Sequence, residues 1–511
     1  MNHPPAPRLK VGIIGAGIAG PVLALQILSH PILRNQFRPI IYDQSRDPKA
    51  LSLSAPDEWP RTAGAAVGVS PNGLYPLYQL GLRAAIEDAS REIDARVLLE
   101  NLSAAVPGRY RFLGRTSDPT WASDVQSGMR AMERWRLQAL LLGRIAQLGG
   151  EIRWGKKLHG LQSLGPEGKV RAIFQDGNDD DEEILDLVVG ADGAWSQVRR
   201  HILKEKGDEK RWVPESVNTV AIYGISSIPA ELLSPDGPSS LASSHVLADT
   251  HGLWLDRGIL STSVLPDGKI RWDLVLPETE RPRTVPAASS AEVEAEEHGK
   301  TPTTTDLEPK TKWHNRIIPG SFPAATTIDI LREHANIWHP VTKTFGRLVA
   351  SSERIIHTRL RQHVWEEDEI HHGNVVLIGD ASRLLLPRTS FAIEDATVLA
   401  NLLLKYLPSL QEENNNNNNI QKALAEYARQ RVPRSKQMAR YSYWTNIVSL
   451  GERWYWRTLR DVGTSLLSIE NLFRRQGNPS SSSSGERRDS RPWPFDLRAR
   501  VEDGEGEEGL E

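Results

Sequence analysis

The sequence predicts an α/β protein: a Rossmann-like dinucleotide-binding domain, interrupted by a mainly antiparallel β-sheet domain and followed by a helical C-terminal extension. Three observations predict it. The chain opens on a short apolar strand, a glycine turn and a helix; its middle alternates apolar and polar residues with a period of two; and near Asn374 the texture of buried strand and helix returns. At 511 residues the chain is too long for one compact core, and its 39% hydrophobic content is enough for ordinary globular cores. A formal net charge of -3 gives no electrostatic ground for a nucleic-acid partner. The absence of cysteine excludes disulfides, thiolate nucleophiles and cysteine-ligated metals. The first apolar run, Val11 to Ile14, is too short for a signal-peptide core, and no run of about 18 apolar residues occurs. A cytoplasmic protein is expected.

The elements follow in order. Lys10 to Ile14 reads as a strand, Ile18 to Leu28 as a helix with Pro21 in its first turn, and Pro39 to Asp43 as a second strand. That β–α–β order implies a parallel pair, because the right-handed crossover lays the strands side by side. Leu137, Leu140, Leu141, Ile145 and Leu148 mark an amphipathic helix, with a strand at Glu151 to Trp154 after it. The acidic run Asp176 to Glu183 reads as a solvated hairpin tip, and Leu185 to Val189 as a buried strand. Thr219 to Ile225, Ile259 to Val264 and Ile270 to Val275 alternate as antiparallel strands do, with Asp267-Gly268 as a hairpin turn. Arg281 to Lys312 has the composition of a disordered insertion. Val375 to Ile378 is a buried strand, Phe391 to Leu404 a helix, and Asn414 to Asn419 a low-complexity surface loop. Ala423 to Phe473 is helical and rich in Trp, Tyr and Arg, and the Ser-rich and acidic tail is expected to be disordered.

Gly15-Ala16-Gly17-Ile18-Ala19-Gly20 carries the first chemistry. Gly15 permits the tight turn, Gly17 lets the backbone approach a pyrophosphate, and Gly20 allows close packing of helix on strand. The helix N-terminus then presents N–H groups to phosphates. Asp43, at the end of the second strand, is placed to accept hydrogen bonds from ribose hydroxyls. This pattern suits a dinucleotide and does not choose among dinucleotides.

Two later segments narrow the choice. Asp186 to Arg199 contains Gly190-Ala191-Asp192-Gly193-Ala194-Trp195, and Asn374 to Ala381 ends Ile378-Gly379-Asp380-Ala381. They closely resemble the "DG" and "GD" motifs of the class A flavoprotein monooxygenases, the p-hydroxybenzoate and salicylate hydroxylase-like enzymes. The segment beginning Gly64-Ala65-Ala66-Val67 and the Arg134, Leu137, Leu141 pattern are similar to further parts of that family. The resemblance implies FAD as cofactor and NAD(P)H as co-substrate. It also implies that Arg134 reaches the flavin cofactor, that Asp192 and Gly193 lie near the pyrophosphate, and that Gly379 and Asp380 meet the ribityl chain. The activity implied is hydroxylation or epoxidation of an aromatic or polyketide-like small molecule, and no catalytic base carries over.

The changes of texture along the chain set the expected domains: a FAD-binding domain at 8–204 and 350–408, a substrate domain at 205–349 with its insertion at 281–312, a helical region at 420–476, and a tail at 477–511. Tyr223, His251, Trp254, Trp272 and Asp273 are candidates to face the substrate. One departure stands out. Pro387 is in place, but only Arg388, Thr389, Ser390 and Phe391 separate it from Ala392-Ile393-Glu394-Asp395-Ala396. The family loop is longer and carries a Gly-x-Gly whose N–H groups face the flavin ring. A tolerated variant loop, a non-catalytic FAD-binding relative and a faulty gene translation are the three explanations; a flavin-dependent reductase or dehydrogenase is a further alternative activity. Arg383 stands where the family has histidine. The aromatic C-terminal region is expected to pack on the body, with a membrane-surface helix as the alternative reading. No residue cluster has metal-ligand spacing.

Overall fold

In the computed structural model the described residues are 8–47, 66–93, 95–101, 110–117, 122–165, 168–176, 179–228, 249–278, 316–318, 321–385, 389–406 and 416–463. A mixed α/β fold with two large sheets results. The first sheet has six strands in the order His371–His372, Val375–Leu377, Leu187–Gly190, Leu9–Ile14, Phe37–Asp43, Glu151–Trp154. All neighbours are parallel except the outermost pair, His371–His372 with Val375–Leu377. Strands covered on both faces have no use for alternation, so they read as apolar runs. Val11, Ile13, Leu187, Val188, Val189, Val376 and Leu377 are all 0% exposed. Helix Ala19–Ser29 packs on one face with Arg134–Gln147 and Thr389–Tyr406 behind it, and on the other face Leu185 meets Gly12 and Phe174 stacks on Tyr42.

The second sheet has seven strands: Ser352–Arg361, Ser216–Ser227, Lys269–Pro277, Ile259–Leu265, Asp249–Trp254, Ala95–Asn101 and Tyr110–Ser117. It draws strands from outside the 205–349 span, since Ala95–Asn101 pairs in parallel with Asp249–Trp254, and Ser352–Arg361 pairs with Ser216–Ser227. Here alternation is clean: Lys269–Pro277 runs half-buried, buried, half-buried throughout. Its buried face holds Ile222, Trp272, Leu274 and Leu260 under the helices Ala324–Glu333 and Phe345–Ala350. Asp267 and Gly268 make the hairpin turn, both at positive φ (59° and 64°), as such two-residue turns require.

A small sheet of Ala66–Val69, Arg91–Glu92 and Arg130–Glu133 joins the two. Glu133 is buried, and its carboxylate takes Arg354 at 3.3 Å and Lys269 at 3.4 Å from the seven-stranded sheet.

Two expectations need correction. The acidic run spans the end of the hairpin, where Asp176 pairs with Asp179, but continues beyond it as the strand Asp179–Leu185, in which Glu183, Asp181 and Glu182 pair with Arg153, Lys156 and Arg171. Basic side chains on the neighbouring strands make the ladder tolerable there. Asn416 to Asn419 open the helix Asn416–Leu450 instead of forming a loop, and Asn419 is 3% exposed. Tertiary packing overrides the weak helix propensity of asparagine, with Gln421 Nε2 donating to Asn417 Oδ1 at 3.3 Å and to Asn374 Oδ1 at 3.4 Å. The expected insertion at 281–312 and the tail at 477–511 lie outside the described residues.

Candidate cofactor-binding site

Three adjacent strands of the six-stranded sheet end level with one another, Ile14 beside Gly190 and Gly190 beside Leu377. The glycine turn, the Asp192 turn and the Asp380 turn therefore stand side by side at the carboxyl edge, which is where open α/β sheets place their ligands. Each turn is held by the chain's own groups.

Gly15 adopts φ 111°, and its N–H donates to Tyr42 O at 2.8 Å. A Cβ at Gly15 would collide with the Ala191 carbonyl, and one at Gly20 would collide with the Gly15 carbonyl. These two glycines are thus required by backbone against backbone. Gly17 differs: a Cβ there would meet only Arg134 Nη2, at 3.2 Å. The Ala16 peptide between them is clamped at both ends, its N–H donating to Asp43 Oδ2 (2.6 Å) and its carbonyl accepting from Gln138 Nε2 (2.6 Å). The other oxygen of Asp43 takes the Ser45 N–H at 2.8 Å and its hydroxyl.

Arg134 begins its helix directly after the small-sheet strand Arg130–Glu133, and that junction fixes where it points. Burial lowers its pKa, opposed by the charges of Asp380, Tyr223 and Asp43. Arg134 is thus within electrostatic reach of the Asp43 strand end, the Asp380 turn and the second sheet together.

Asp192 Oδ2 accepts the Gln197 and Val198 N–H groups at 2.7 and 3.2 Å and so caps the helix Gln197–Glu205. Burial raises its carboxyl above the usual aspartate range, against the hydrogen bonds of Ser196 and Val198 and the charge of Arg199. Among the described residues its Oδ1 is buried with no partner. Gly193 next to it has φ 81° and open space where a Cβ would be. In the third turn Gly379 has φ 62°, donates its N–H to Asp395 Oδ2 at 2.9 Å, and would carry a Cβ 3.1 Å from Ala19 Cβ. Asp380 is half-buried beside it.

The structure thus brings Gly15, Gly17, Gly20, Asp43, Arg134, Asp192, Gly193, Gly379 and Asp380 to one sheet edge. Gly64 and Pro387 lie outside the described residues. Phe391, the last residue of the short stretch after Pro387, is 5% exposed in a cluster with Leu385 and Met438, and the Arg434 guanidinium lies 4.9 Å from its ring centre. The helix starts at Thr389 and turns the Phe391 side chain toward the C-terminal helix.

Sequence reasoning missed several positioning residues. Arg199 is 0% exposed and ties two turns together: Nη1 donates to Ala381 O (2.9 Å), and Nη2 to Ala194 O and Trp212 O (2.8 Å). Its guanidinium sits 3.9 Å over Trp365, and burial takes its pKa down to about 10 against the pull of Asp192 and Asp380. Gln138 falls one helical turn after Arg134, a spacing that puts both on one face and was legible. Arg431 and Arg434, from the long C-terminal helix, reach the buried Glu394 and Asp395 at 2.6 to 2.7 Å, and Arg383 reaches Asp395 at 2.6 Å.

The five substrate-facing candidates divide between the two faces of the seven-stranded sheet. Tyr223 and Asp273 are cross-strand partners on the half-buried face, where Arg271 holds Asp273 with two bonds (2.7 and 2.8 Å) and donates to Ala66 O in the small sheet. Trp254 shares that face by register with Ile259. Trp272 and His251 do not: Trp272 packs edge-on to Phe345 at 5.1 Å and donates to Ser226 and Ser352 (3.0 Å each), while His251 lies across the ladder from Thr262, the partner of Trp272. A one-residue shift in parity exchanges the faces, and that decides which residues are core.

The model of a family described as FAD binding domain matches residues 59–317, just over half of the chain. The match begins beyond the glycine turn, so the geometry of that turn is an independent observation. Among characterised proteins, the chain is 27% identical over 414 residues to "FAD-dependent monooxygenase paxM" of Penicillium paxilli, covering 78% of this chain and 70% of that one. It is also 27% identical over 220 residues to "Salicylate hydroxylase" of Pseudomonas putida, covering 42% and 43% respectively. Among solved structures, a single-residue variant of HpxO of Klebsiella pneumoniae complexed with FAD superposes with a TM-score of 0.62 at 17% identity, covering 92% of this chain and 97% of that one.

Proposed function

The chain belongs to the FAD-binding-domain family of FAD-dependent monooxygenases, and from that premise we propose that it hydroxylates or epoxidises an aromatic or polyketide-like small molecule with O2, taking electrons from NAD(P)H. The observation that carries the reading is the convergence of the three turns and Arg134 on one carboxyl edge. The residues there fit FAD on two counts. The space beside Gly17 is open except for the movable end of Arg134, and the buried Asp192 Oδ1 lacks a donor among the described residues, as a hydroxyl-bearing ligand would supply.

In this proposal Gly15, Gly17, Gly20 and Asp43 hold the ADP half of the cofactor. Asp192, Gly193, Gly379 and Asp380 hold the pyrophosphate and ribityl region, with Gly64 and Pro387 completing the site. Arg134 neutralises phosphate charge while staying in reach of the carboxylates of Asp43 and Asp380. When bound, FAD supplies the two-electron redox chemistry and the activation of oxygen. The protein's part is to orient the substrate and keep water out. The half-buried sheet face with Tyr223, Arg271 and Asp273 offers the polar groups for orientation, since it abuts the small sheet from which Arg134 extends. The relatives' names support the oxygenase class, and HpxO has also been solved with FAD and uric acid.

A visible spectrum of the purified protein, before and after excess FAD, tests the cofactor. A flavin spectrum followed by substrate-stimulated NAD(P)H consumption and 18O from O2 in the product would support the whole proposal. Flavin without substrate-stimulated consumption would favour the non-catalytic relative, for which the short stretch before Phe391 is the motive. Substrate oxidation without 18O would favour a reductase or dehydrogenase.

A further inference from the structure

The end of the helix Asn416–Leu450 and the helical segment 454–463 carry a surface unlike the rest of the described molecule. Tyr443 (52% exposed), Trp444 (54%), Trp454 (71%), Leu459 (54%) and Val462 (52%) face solvent there. Most of the exposed large hydrophobic side chains among the described residues fall between Tyr441 and Val462. Single exposed apolar residues are ordinary; a contiguous set is not. These rings touch one another. Tyr443 meets Trp444 at 5.6 Å, Trp444 meets Trp456 at 6.0 Å, Trp456 meets Tyr455 at 5.1 Å, and Tyr455 meets Trp454 at 5.9 Å. Gly451, at φ 58°, turns the chain between the two helices and so gathers the rings of both into one patch.

The make-up of the patch, exposed rings with guanidinium groups among them, points to what covers it. The cations at its surface are Arg440, Arg453 and Arg457, the last 3.4 Å from the exposed Asp256, while Arg460 is buried against Asp461. Arg453 donates to Tyr455 Oη at 2.9 Å and lies 5.9 Å from the Tyr455 ring centre, inside the patch itself. Indole and phenol rings rimmed by guanidinium groups match the boundary between lipid headgroups and acyl chains, where amphipathic rings settle and cations meet phosphates. Protein interfaces also use Trp, Tyr and Arg, but as anchors packed in pockets at the centre of a flush surface. Rings standing 54% and 71% exposed are proud of the surface instead. No helix among the described residues is long and apolar enough to cross a membrane.

We propose that this aromatic patch docks the protein on an anionic membrane surface, with Trp444, Trp454 and Leu459 entering the headgroup boundary and Arg453 and Arg457 meeting phosphates. The segment is not a loose appendage. Gly258 donates its N–H to Leu450 O (2.8 Å), Asn446 Nδ2 donates to Thr219 Oγ1 (3.1 Å), and the Arg460 guanidinium lies 5.1 Å from the Trp254 ring centre. Docking therefore sets the orientation of the seven-stranded sheet relative to the lipid.

Flotation of the full chain with vesicles tests this. Binding to phosphatidylcholine vesicles containing phosphatidylserine is expected, weaker with phosphatidylcholine alone and falling as salt is raised. The combined change Trp444→Ser, Trp454→Ser, Leu459→Ser is expected to lower partitioning about tenfold or more, given the apolar surface removed. Arg453→Glu with Arg457→Glu is expected to remove only the phosphatidylserine dependence. Phe112→Ser, exposed elsewhere, should float as the unaltered protein does. The proposal is overturned if the unaltered chain does not float with either vesicle, or if the triple variant floats equally well. It is overturned too if light scattering shows a dimer that the triple variant abolishes while vesicles are ignored, which would make the patch a contact between two copies.

Discussion

Replacing Arg431 by methionine removes one of three guanidinium groups from a cluster that holds two fully buried carboxylates. Arg431 is 3% exposed; its Nη1 donates to Glu394 Oε1 and its Nε to Asp395 Oδ1, both at 2.7 Å. Burial works against the charge of Arg431, but Glu394 and Asp395 outweigh it and hold the pKa above the ordinary arginine value. Stripping a buried carboxylate of its only cation costs about 3–5 kcal/mol. Here neither carboxylate is stripped completely: Asp395 keeps Arg383 (2.6 Å) and the Gly379 N–H (2.9 Å), and Glu394 keeps Arg434 (2.6 Å) and Asn72 (3.1 Å). The lower end, about 3 kcal/mol, is therefore expected. With a urea slope of about 3 kcal/mol/M, the unfolding midpoint should fall by about 1 M, and Arg431→Lys should fall between the two. Because Asp395 also fixes the Gly379 N–H, Arg431→Met should weaken FAD binding as well, read by flavin fluorescence on titration. A midpoint shift below about 0.3 M would refute the reasoning, since it would mean that the cluster is compensated without Arg431.

Gly17→Val is expected to abolish flavin occupancy with little loss of folded stability, because the new side chain meets only the movable end of Arg134, whereas Gly20→Ala should destabilise the fold itself through the Gly15 carbonyl; visible absorbance and thermal melting separate the two. His339, held at a pKa of about 3 by burial and by His251, stays neutral in the fold while an unfolded chain begins to protonate near 6.5. Its contribution is thus complete above about pH 6.5 and is lost at about 1.4 kcal/mol per unit as pH falls toward 3; His339→Gln should flatten this acid limb in urea midpoints measured from pH 7 to 4. Tyr223→Phe should leave the flavin spectrum intact but lower substrate-stimulated NAD(P)H consumption, since Tyr223 lies on the sheet face proposed to orient substrate, and unchanged kcat and KM would remove it from that role.

The parts of the fold legible in the sequence are those where one physical demand dominates. Strands buried on both faces must be apolar, so Val11 to Ile14, Leu187 to Val189 and Val375 to Leu377 announced themselves. Gly15 and Gly20 were legible because only glycine fits against the Ala191 and Gly15 carbonyls. Period-two strands gave their alternation but not which parity meets the helices, so Trp272 and His251 stood on equal terms with Tyr223 and Asp273. Contacts across long separations were the least legible. Nothing local to Arg431 shows that it meets Glu394 and Asp395, and nothing local to Ala95–Asn101 shows that it pairs with Asp249–Trp254. Asn416 to Asn419 misled for the converse reason, as a low-complexity run became a helix start once Gln421 and Asn374 were beside it.

The six-stranded sheet has one outcome for the life of the chain on the ribosome. Leu187–Gly190 takes its outer neighbour from Val375–Leu377, so the partner of an entirely apolar strand is translated roughly 190 residues later, an interval of roughly 10–40 s at usual elongation rates. Through that interval the nascent N-terminal portion presents an open, apolar sheet edge. The six-stranded sheet cannot be completed until Val375–Leu377 is made. Until then that edge is open to pairing with other chains, the hazard that exposed edge strands carry.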